Sequence, residues 1–223
     1  MAYVSSKSGL AAVQPPRGSI RRSRKEQRPS EIINAAFEEF SKRGYEAARL
    51  EDVADRVGVT KGTIYFYFKD KRELFKAVVQ KFIQPIFRQV AGLDSNYDGT
   101  TQELMHDQLK VIYRELVRNR KANQLMRLII AEGQQFPELP EVYYREIVRH
   151  GIEVLRHVIE RGVARGEFRR SRISEFPQLL FAPVMTAVIW NLLFNRLKPL
   201  DLDRYSEAHL DLLLNGLNAI RLE

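Results

Sequence analysis

The amino-acid sequence predicts an all-α fold of about nine helices. Apolar residues recur every three to four positions through most of the chain after residue 30, which is the spacing of one helix face. Short segments that contain Gly or Pro separate these periodic stretches, and no stretch shows the strict alternation of a half-buried strand. The order of the stretches predicts a short unit of three helices followed by a larger helical unit.

The N-terminal thirty residues are strongly basic. They contain seven Lys or Arg residues against Glu26 alone, so a net charge of +6 out of the formal +8 lies there. Such a segment is either attracted to phosphate groups or simply a solvated terminus, and composition alone does not separate the two. We predict a disordered basic tail over residues 1–28, which is retained because it lacks the continuous apolar run of a signal peptide.

Composition also excludes several kinds of site. Cysteine is absent, so disulfides, thiolate metal sites and cysteine nucleophiles are excluded, and a reducing compartment such as the cytoplasm is expected. The longest apolar stretch, about twelve residues from Leu179 to Trp190, is shorter than the eighteen or so that a membrane span needs. We therefore expect no membrane partner, and a buried helix at this stretch.

The first three helices are predicted between residues 30 and 68. Ser30 is available as the N-cap of the first helix, and Gly44 ends it. Gly58 closes a short second helix, and Thr60 caps a third helix over Lys61–Phe68. Only three residues, including a glycine, separate the second helix from the third, which is the turn that a helix-turn-helix requires.

Longer helices follow this unit. Asp70 and Glu73 form a capping pattern for a fourth helix, and Pro85 lies inside it, where we predict a kink. Thr100 and Glu103 form a capping box for the next helix. Further helices are predicted at about residues 122–132, 141–163, 175–196 and 204–221.

The predicted third helix has the residue types of a major-groove helix. It turns Ile64 and Phe68 inward, and its outward residues divide by chemistry into those that can reach bases and those that can hold the backbone. Candidates for base contacts are Lys61, Gly62 and Thr63, and candidates for phosphate contacts are Thr60, Tyr65, Tyr67 and Lys71.

At this point the sequence resembles the TetR (tetracycline-repressor) family. The matching residues, in order and spacing, are Gly44-Tyr45, Glu51-Asp52-Val53-Ala54, the run from Gly58 to Phe68, and Lys71-Arg72-Glu73-Leu74-Phe75. The resemblance implies a DNA-binding domain over residues 29–76, with contacts from the same seven residues, and a regulatory and dimerisation domain over residues 77–223. It further implies a homodimer on double-stranded operator DNA, commonly a repressor that a small molecule releases.

One position departs from the family pattern. Where the family often has two hydroxyl residues before the second helix, this chain has Ala48-Arg49, so a hydroxyl cap and phosphate donor are missing. Arg49 either compensates through a charge-assisted bond to a phosphate or is a solvated surface residue. We include it among the candidate DNA contacts.

The resemblance also implies a ligand cavity in the larger domain and a dimer interface on the last two helices. Apolar walls with few polar groups define such a cavity, although core packing explains each residue alone. The candidate ligand-binding residues are Met126, Phe136, Tyr143, Trp190 and Asn191. The candidate interface residues are Phe181, Val184, Val188, Leu192, Leu213, Leu217 and Ile220.

Catalytic and cofactor motifs are not found. The glycine and lysine around Gly62 lack the spacing and the preceding strand of a phosphate-binding loop, and the four histidines are scattered. We therefore expect no enzyme, no cofactor and no metal. The alternatives to a ligand-responsive regulator are a DNA-binding protein without a ligand and a helical interaction module whose basic tail binds membranes or acidic proteins.

Overall fold

The computed structural model describes the backbone of residues 17–95 and 97–218, and the side chains from residue 27 onward. Within these ranges there is no strand, only an isolated bridge between Phe168 and Asn218. The all-α prediction is therefore confirmed. The α-helices are α1 (Arg17–Ala47), α2 (Leu50–Val57), α3 (Lys61–Tyr67), α4 (Lys71–Phe82), α5 (Gln84–Gly92), α6 (Thr101–Ile112), α7 (Arg120–Glu132), α8 (Glu138–Tyr143), α9 (Arg149–Ala164), α10 (Ala182–Phe194) and α11 (Leu202–Leu217).

Several of these helices are joined end to end. A single residue, Ile83, separates α4 from α5, and a π-helical turn over Tyr144–Val148 joins α8 to α9. A second π-helical turn, Tyr113–Val117, extends α6. When joined segments count as one, the described residues form nine helical rods, which agrees with the number predicted from the sequence.

The start of the first helix differs from the prediction. Helix α1 begins at Arg17, so the assignment of residues 17–28 to a disordered tail is wrong, as is Ser30 as an N-cap. Residues between Arg17 and Arg28 are mostly Arg, Lys, Glu and Gln, which have high helix propensity, so the helix continues past Pro29. Residues 1–16 of the predicted tail lie outside the described residues.

Two further boundaries reflect the positions of prolines. The predicted kink near Pro85 is confirmed, because the axis breaks at Ile83 and Pro85 falls in the first turn of α5, where its missing N–H costs no helix bond. The predicted helix over residues 175–196 starts later, at Ala182. Two 3₁₀ turns, Arg172–Ser174 and Pro177–Leu180, precede it.

The core is one continuous apolar cluster that runs through both halves of the chain. In the N-terminal half, α1 packs on α2 and α4, and Phe40 and Phe75 are almost fully buried where they meet. In the C-terminal half, Leu104, Leu125 and Leu139 are fully or almost fully buried. The two halves are therefore packed on each other through shared apolar side chains.

Candidate DNA-binding surface and effector cavity

The turn between α2 and α3 is fixed by local hydrogen bonds. Gly58 follows α2 with φ of 69°, a left-handed conformation that favours glycine, and its backbone N–H donates to the carbonyls of α2. The Thr60 side chain then accepts a bond from the backbone nitrogen of Thr63 at 3.2 Å. The predicted N-cap of the third helix is thus present, and it sets the direction in which α3 leaves the turn.

Helix α3 presents most of the predicted DNA contacts to solvent. Ile64 is completely buried and anchors the helix on the core, whereas Lys61, Gly62 and Tyr65 are exposed. Thr60 is also exposed. Thr63 and Tyr67 are half-buried, and the predicted inward residue Phe68 is half-buried as well.

One exposed residue on this helix was not singled out from the sequence. Phe66 is 73% exposed, and its ring lies at 4.9 Å from the ring of Tyr67 in an edge-on arrangement. Phe66 follows Gly62 by four positions, so it shares a face with that residue. The helical period places Phe66 on the exposed face of α3. Because aromatic residues are usually assigned to the core, its exposure was not predicted.

Lys61 is held by an acidic neighbour. Its ammonium group forms an ion pair with the carboxylate of Glu51 on α2, and it lies 5.7 Å from the ring centre of Tyr65. The hydrogen bond with Lys61 lowers the pKa of Glu51, and the same bond raises the pKa of Lys61. Both side chains are about half exposed, so the pair is accessible to a competing anion.

Lys71 and Arg49, which were also predicted to contact phosphate, differ in their surroundings. The Nζ atom of Lys71 donates to the carbonyl of Glu46 at 3.0 Å and lies 4.7 Å from the ring centre of Tyr45. Burial lowers the pKa of Lys71. Arg49 is exposed and precedes α2 without any side-chain cap bond, as expected from the missing hydroxyl residue.

The larger domain encloses an apolar cavity of about 320 Å³. Its wall is formed by α5, α6, the region around α9, and the segment leading into α10. Polar groups are few, and they come mainly from Gln108, Gln178 and Tyr143. The other lining residues are Phe87, Val90, Met105, Leu109, Ile112, Met126, Ile147, Val148, Gly151, Ile152, Val154, Leu155, Val158, Leu180, Phe181, Ala182, Met185 and Leu213.

Two of the five predicted ligand residues, Met126 and Tyr143, line this cavity, and burial raises the pKa of Tyr143. The other three are not among the residues that line this cavity, and each has a different neighbour. Phe136 packs on the Tyr45 ring at 5.4 Å, Trp190 donates to the Lys198 carbonyl at 2.8 Å, and Asn191 Nδ2 lies 3.4 Å from the Val117 carbonyl.

Most of the predicted dimer residues are buried within the protomer. Val184, Val188, Leu213 and Leu217 are 8% exposed or less, so they are core residues rather than free interface residues. Phe181 lines the cavity, Leu192 is half-buried, and Ile220 lies outside the described residues.

Other large apolar side chains on or beside the last two helices are exposed. They include Ile189 and Leu193 on α10, Leu197 just beyond it and Leu212 on α11, and we group these four as the α10–α11 face. Helix α10 is apolar around its whole circumference, so the sequence indicated interface residues without showing which side of the helix faced the core.

Together, these features define a helix-turn-helix protein with a separate helical domain that contains a cavity. Residues 32–78 match the family model described as bacterial regulatory proteins, tetR family, and residues 99–207 match the one described as tetracyclin repressor-like, C-terminal domain. The chain belongs to the TetR family of transcriptional regulators.

Individual relatives match over different lengths. The activator FasR of Mycolicibacterium smegmatis is 39% identical over 89 residues, which is 39% of each chain. The alignment with the regulator TtgR of Pseudomonas putida covers 53% of that relative. The chain therefore matches about half of the length of these two relatives, or less. The fatty acid metabolism regulator of Bacillus subtilis is 26% identical over 87% of this chain and 98% of its own.

Solved structures share the fold. NalD of Pseudomonas aeruginosa superposes with a TM-score of 0.71 at 22% identity, over 87% of this chain and 98% of its own. The relatives are named regulators rather than enzymes. Among the described residues, no helix is long and apolar enough to cross a membrane, and no group of three or more His, Asp or Glu residues is arranged to hold a metal ion.

Proposed function

We propose that the protein is a repressor that binds a palindromic operator as a homodimer and is released from it by an apolar small molecule. The observation that carries this proposal is that one chain holds both an exposed, capped helix in the position of a recognition helix and an apolar cavity. The first feature suits the major groove, and the second suits a buried ligand.

In the proposed complex, α3 enters the major groove. Lys61 would donate to guanine, Gly62 would let the helix start approach the base edges, and Thr63 would meet a thymine methyl or a phosphate. Thr60, Tyr65 and Tyr67 would bind the DNA backbone, and the exposed Arg49 could reach a phosphate.

Lys71 is a separate case. It would bind phosphate only if it gave up its present contacts with Glu46 and Tyr45.

The α10–α11 face is the proposed dimer interface. Leu193 and Leu197 are 64% and 83% exposed, and Leu212 on α11 is 65% exposed. Apolar side chains clustered on one surface of a protein usually mark an association site. A two-fold axis through this face would place two copies of α3 on one duplex, where the two half-sites are separated by a helical turn or a multiple of one.

The wall of the cavity indicates the chemistry of the effector. A ligand there would bind mainly through apolar area, with the Tyr143 hydroxyl as the nearest polar group, because the Gln108 side-chain amide nitrogen already donates to the Val90 carbonyl. One relative is named as a fatty acid metabolism regulator, and SmeT has been solved with triclosan, which supports a hydrophobic effector here. The effector class we propose is therefore a mainly apolar molecule with a single polar group.

The bent α4–α5 rod provides a route between the two sites. Three residues separate α3 from α4, whereas α5 lines the cavity through Phe87 and Val90. A ligand that moves α5 would therefore move α4 and change the separation of the two recognition helices. A dimer that must enter two major grooves at once tolerates little change in that separation.

A binding experiment tests this proposal. The full-length protein is used to select sequences from a pool of random duplexes, and operator affinity is then measured by fluorescence anisotropy with and without a panel of hydrophobic compounds. We expect enrichment of an inverted repeat and loss of affinity with at least one compound. Weak binding that does not depend on DNA sequence would instead favour a helical interaction module, and a compound-insensitive operator complex would favour a ligand-independent regulator.

A further inference from the structure

A carboxylate from the larger domain holds the turn near the end of α1, where Gly44 interrupts the helical backbone a few residues before α2. Glu132 is the last residue of α7, and its Oε2 atom accepts hydrogen bonds from the backbone nitrogens of Tyr45 at 2.9 Å and Glu46 at 3.0 Å. These bonds join residues that are 86 and 87 positions apart in the sequence. Two adjacent amides on one carboxylate form a charge-assisted contact, which is stronger than a neutral hydrogen bond.

The backbone of the turn is shaped for this contact. Gly44 has φ of 85° and ψ of 171°, a conformation that L side chains rarely adopt. A Cβ atom at this position would lie 2.3 Å from the Oε1 atom of Glu132. The family resemblance accounts for a glycine here, but the close approach shows that a side chain at 44 would also displace the carboxylate.

The opposite side of the turn is held by α4. Lys71 donates to the carbonyl of Glu46 at 3.0 Å, so the turn gives its two N–H groups to α7 and a carbonyl to α4. The Tyr45 ring is buried between Phe75 on α4 and Phe136 beyond α7, with ring centres at 5.7 Å and 5.4 Å. Burial, together with the nearby Glu138 carboxylate, raises the pKa of Tyr45. The turn is therefore clamped between the two halves of the molecule.

Helix α7 also reaches the cavity. Met126 lies in the cavity wall, and Glu132 follows it by six positions, or about 9 Å along the helix axis. A helix this short moves as a rigid unit, so a shift of α7 at Met126 is carried to Glu132. The ion pair of Arg72 with Glu141 also joins the two halves, but both of its side chains are more than 40% exposed, so it contributes little.

We propose that Glu132 is a positioning residue for DNA binding. Its carboxylate fixes the Gly44–Glu46 turn, which leads into α2 and α3. A shift of α7 would therefore change the positions of α2 and α3. The test by operator affinity rests on the proposed function, whereas the test by hydrogen exchange does not. The contact of Glu132 acts at the start of the helix-turn-helix, before α2, whereas the proposed α4–α5 route acts at its end, after α3.

The test compares three full-length variants with the unsubstituted protein. Glu132→Ala removes the acceptor, Glu132→Gln keeps a neutral acceptor oxygen, and Glu141→Ala removes a different carboxylate between the same two halves. Hydrogen exchange of the peptide that spans Tyr45 and Glu46 should accelerate about tenfold in Glu132→Ala and much less in Glu132→Gln, with no change in Glu141→Ala. Unchanged exchange in Glu132→Ala would overturn the proposal.

The DNA readout separates positioning from simple stability. Affinity for the selected operator is measured well below the melting temperature, where every variant is folded. We expect Glu132→Ala to bind about tenfold more weakly, Glu132→Gln to recover most of that loss, and Glu141→Ala to stay within about twofold. A lower melting temperature with unchanged operator affinity would show that Glu132 only stabilises the fold and would overturn the proposal. Failure of the unsubstituted protein to select any DNA would overturn the proposed function, while the exchange comparison would still decide the role of Glu132.

Discussion

The ammonium group of Lys61, at the first position of α3, forms an ion pair with the carboxylate of Glu51, in the first turn of α2. The two side chains lie on the surface that we propose faces DNA, so Lys61 must exchange Glu51 for an acceptor on the nucleic acid. A correctly placed guanine offers two acceptors in the major groove and compensates for the lost pair. Glu51 also repels phosphate, which disfavours binding to DNA of any sequence.

Substitution of Lys61 should therefore change sequence preference more than overall affinity. We expect Lys61→Ala to lose about tenfold or more in discrimination at one base pair of each half-site, because a direct base contact is removed. Tyr65→Phe, which removes only a hydroxyl group, should weaken all sequences evenly. Anisotropy titrations against the operator, single-base variants and unrelated DNA measure both effects, and equal losses on all three DNAs for Lys61→Ala would contradict its assignment as a base contact.

Neutralisation of Glu51 supplies a complementary prediction. Glu51→Gln should bind unrelated DNA more tightly, because a negative charge is removed from the surface, while its operator affinity should change less. The ratio of the two affinities should consequently fall. Glu38→Gln, on an exposed position of α1, is a control that removes the same charge. If both variants behave alike, then Glu51 acts only through net charge.

The basic part of α1 should determine how steeply DNA binding depends on salt. Arg21, Arg22, Arg24 and Lys25 lie in a segment that is helical rather than tail-like, so Gln, which is a good helix former, is the suitable replacement for each. The slope of log affinity against log salt should fall by up to about 3 to 4, since each neutralised phosphate contributes about 0.9. Deletion of residues 1–16, which removes only Lys7, should alter it by one unit at most. An unchanged slope in the Gln variant would mean that this segment does not contact DNA.

The sequence predicted the parts of the molecule that depend on local interactions. Thr60 as a cap, Gly58 as a helix end and Pro85 as a break are each decided within one helical turn, and the structure has all three. Predictions that depended on which side of a helix faces the core were less successful. Val184 and Val188 look like interface residues in a uniformly apolar helix, yet only packing against the rest of the chain decides that they are buried and that Leu193 is not.

The contact of Glu132 with the Gly44–Glu46 turn could not have been predicted from sequence for a related reason. A glutamate at the end of a helix is usually a solvated side chain, and nothing in its neighbours along the chain indicates a partner 86 residues earlier. Such a pairing depends on how α1 and α7 are packed together. Phe136 is a similar case, because it was assigned to the cavity although it packs on Tyr45.

The α10–α11 face should control assembly. Leu193→Glu places a charge on a residue that is 64% exposed in the protomer, so the fold should persist while the proposed dimer dissociates. Ile130→Glu, at a residue 58% exposed on α7, is a matched control outside this face. Sedimentation velocity should report a monomer for Leu193→Glu alone, and its operator affinity should fall about 100-fold or more because the two half-sites are no longer bound together. A dimeric Leu193→Glu protein would place the interface elsewhere.

His209 should make the fold sensitive to mild acid. It is 3% exposed, its Nδ1 atom lies 3.0 Å from the Tyr113 hydroxyl, and burial lowers its pKa below the usual value of 6.5. The unfolded chain therefore binds a proton at this residue at a higher pH than the folded protein does. The resulting contribution to stability is present above about pH 6.5 and is lost as the pH falls towards the lower pKa of the folded state.

Denaturant unfolding at a series of pH values measures this dependence. In the unsubstituted protein, the free energy of unfolding should decrease as the pH falls below about 6.5, and His209→Gln should show a flatter profile there. His106→Gln, at a residue partly exposed to solvent, is the control for the loss of a different histidine. Identical profiles for the unsubstituted protein and His209→Gln would mean that other groups are responsible.

Effector binding and operator binding should weaken each other by the same factor. If a compound in the cavity favours an arrangement of α4 and α5 that separates the recognition helices wrongly, it must bind less tightly to the operator complex than to the free protein. A compound that lowers operator affinity about 30-fold, for example, should itself lose about 30-fold in affinity when the operator is present, which corresponds to about 2 kcal/mol. Calorimetric titration of the compound into the free protein and into the operator complex measures both values. Equal affinities in the two titrations would mean that binding of the compound to the protein is not linked to operator binding, and would contradict the proposed switch.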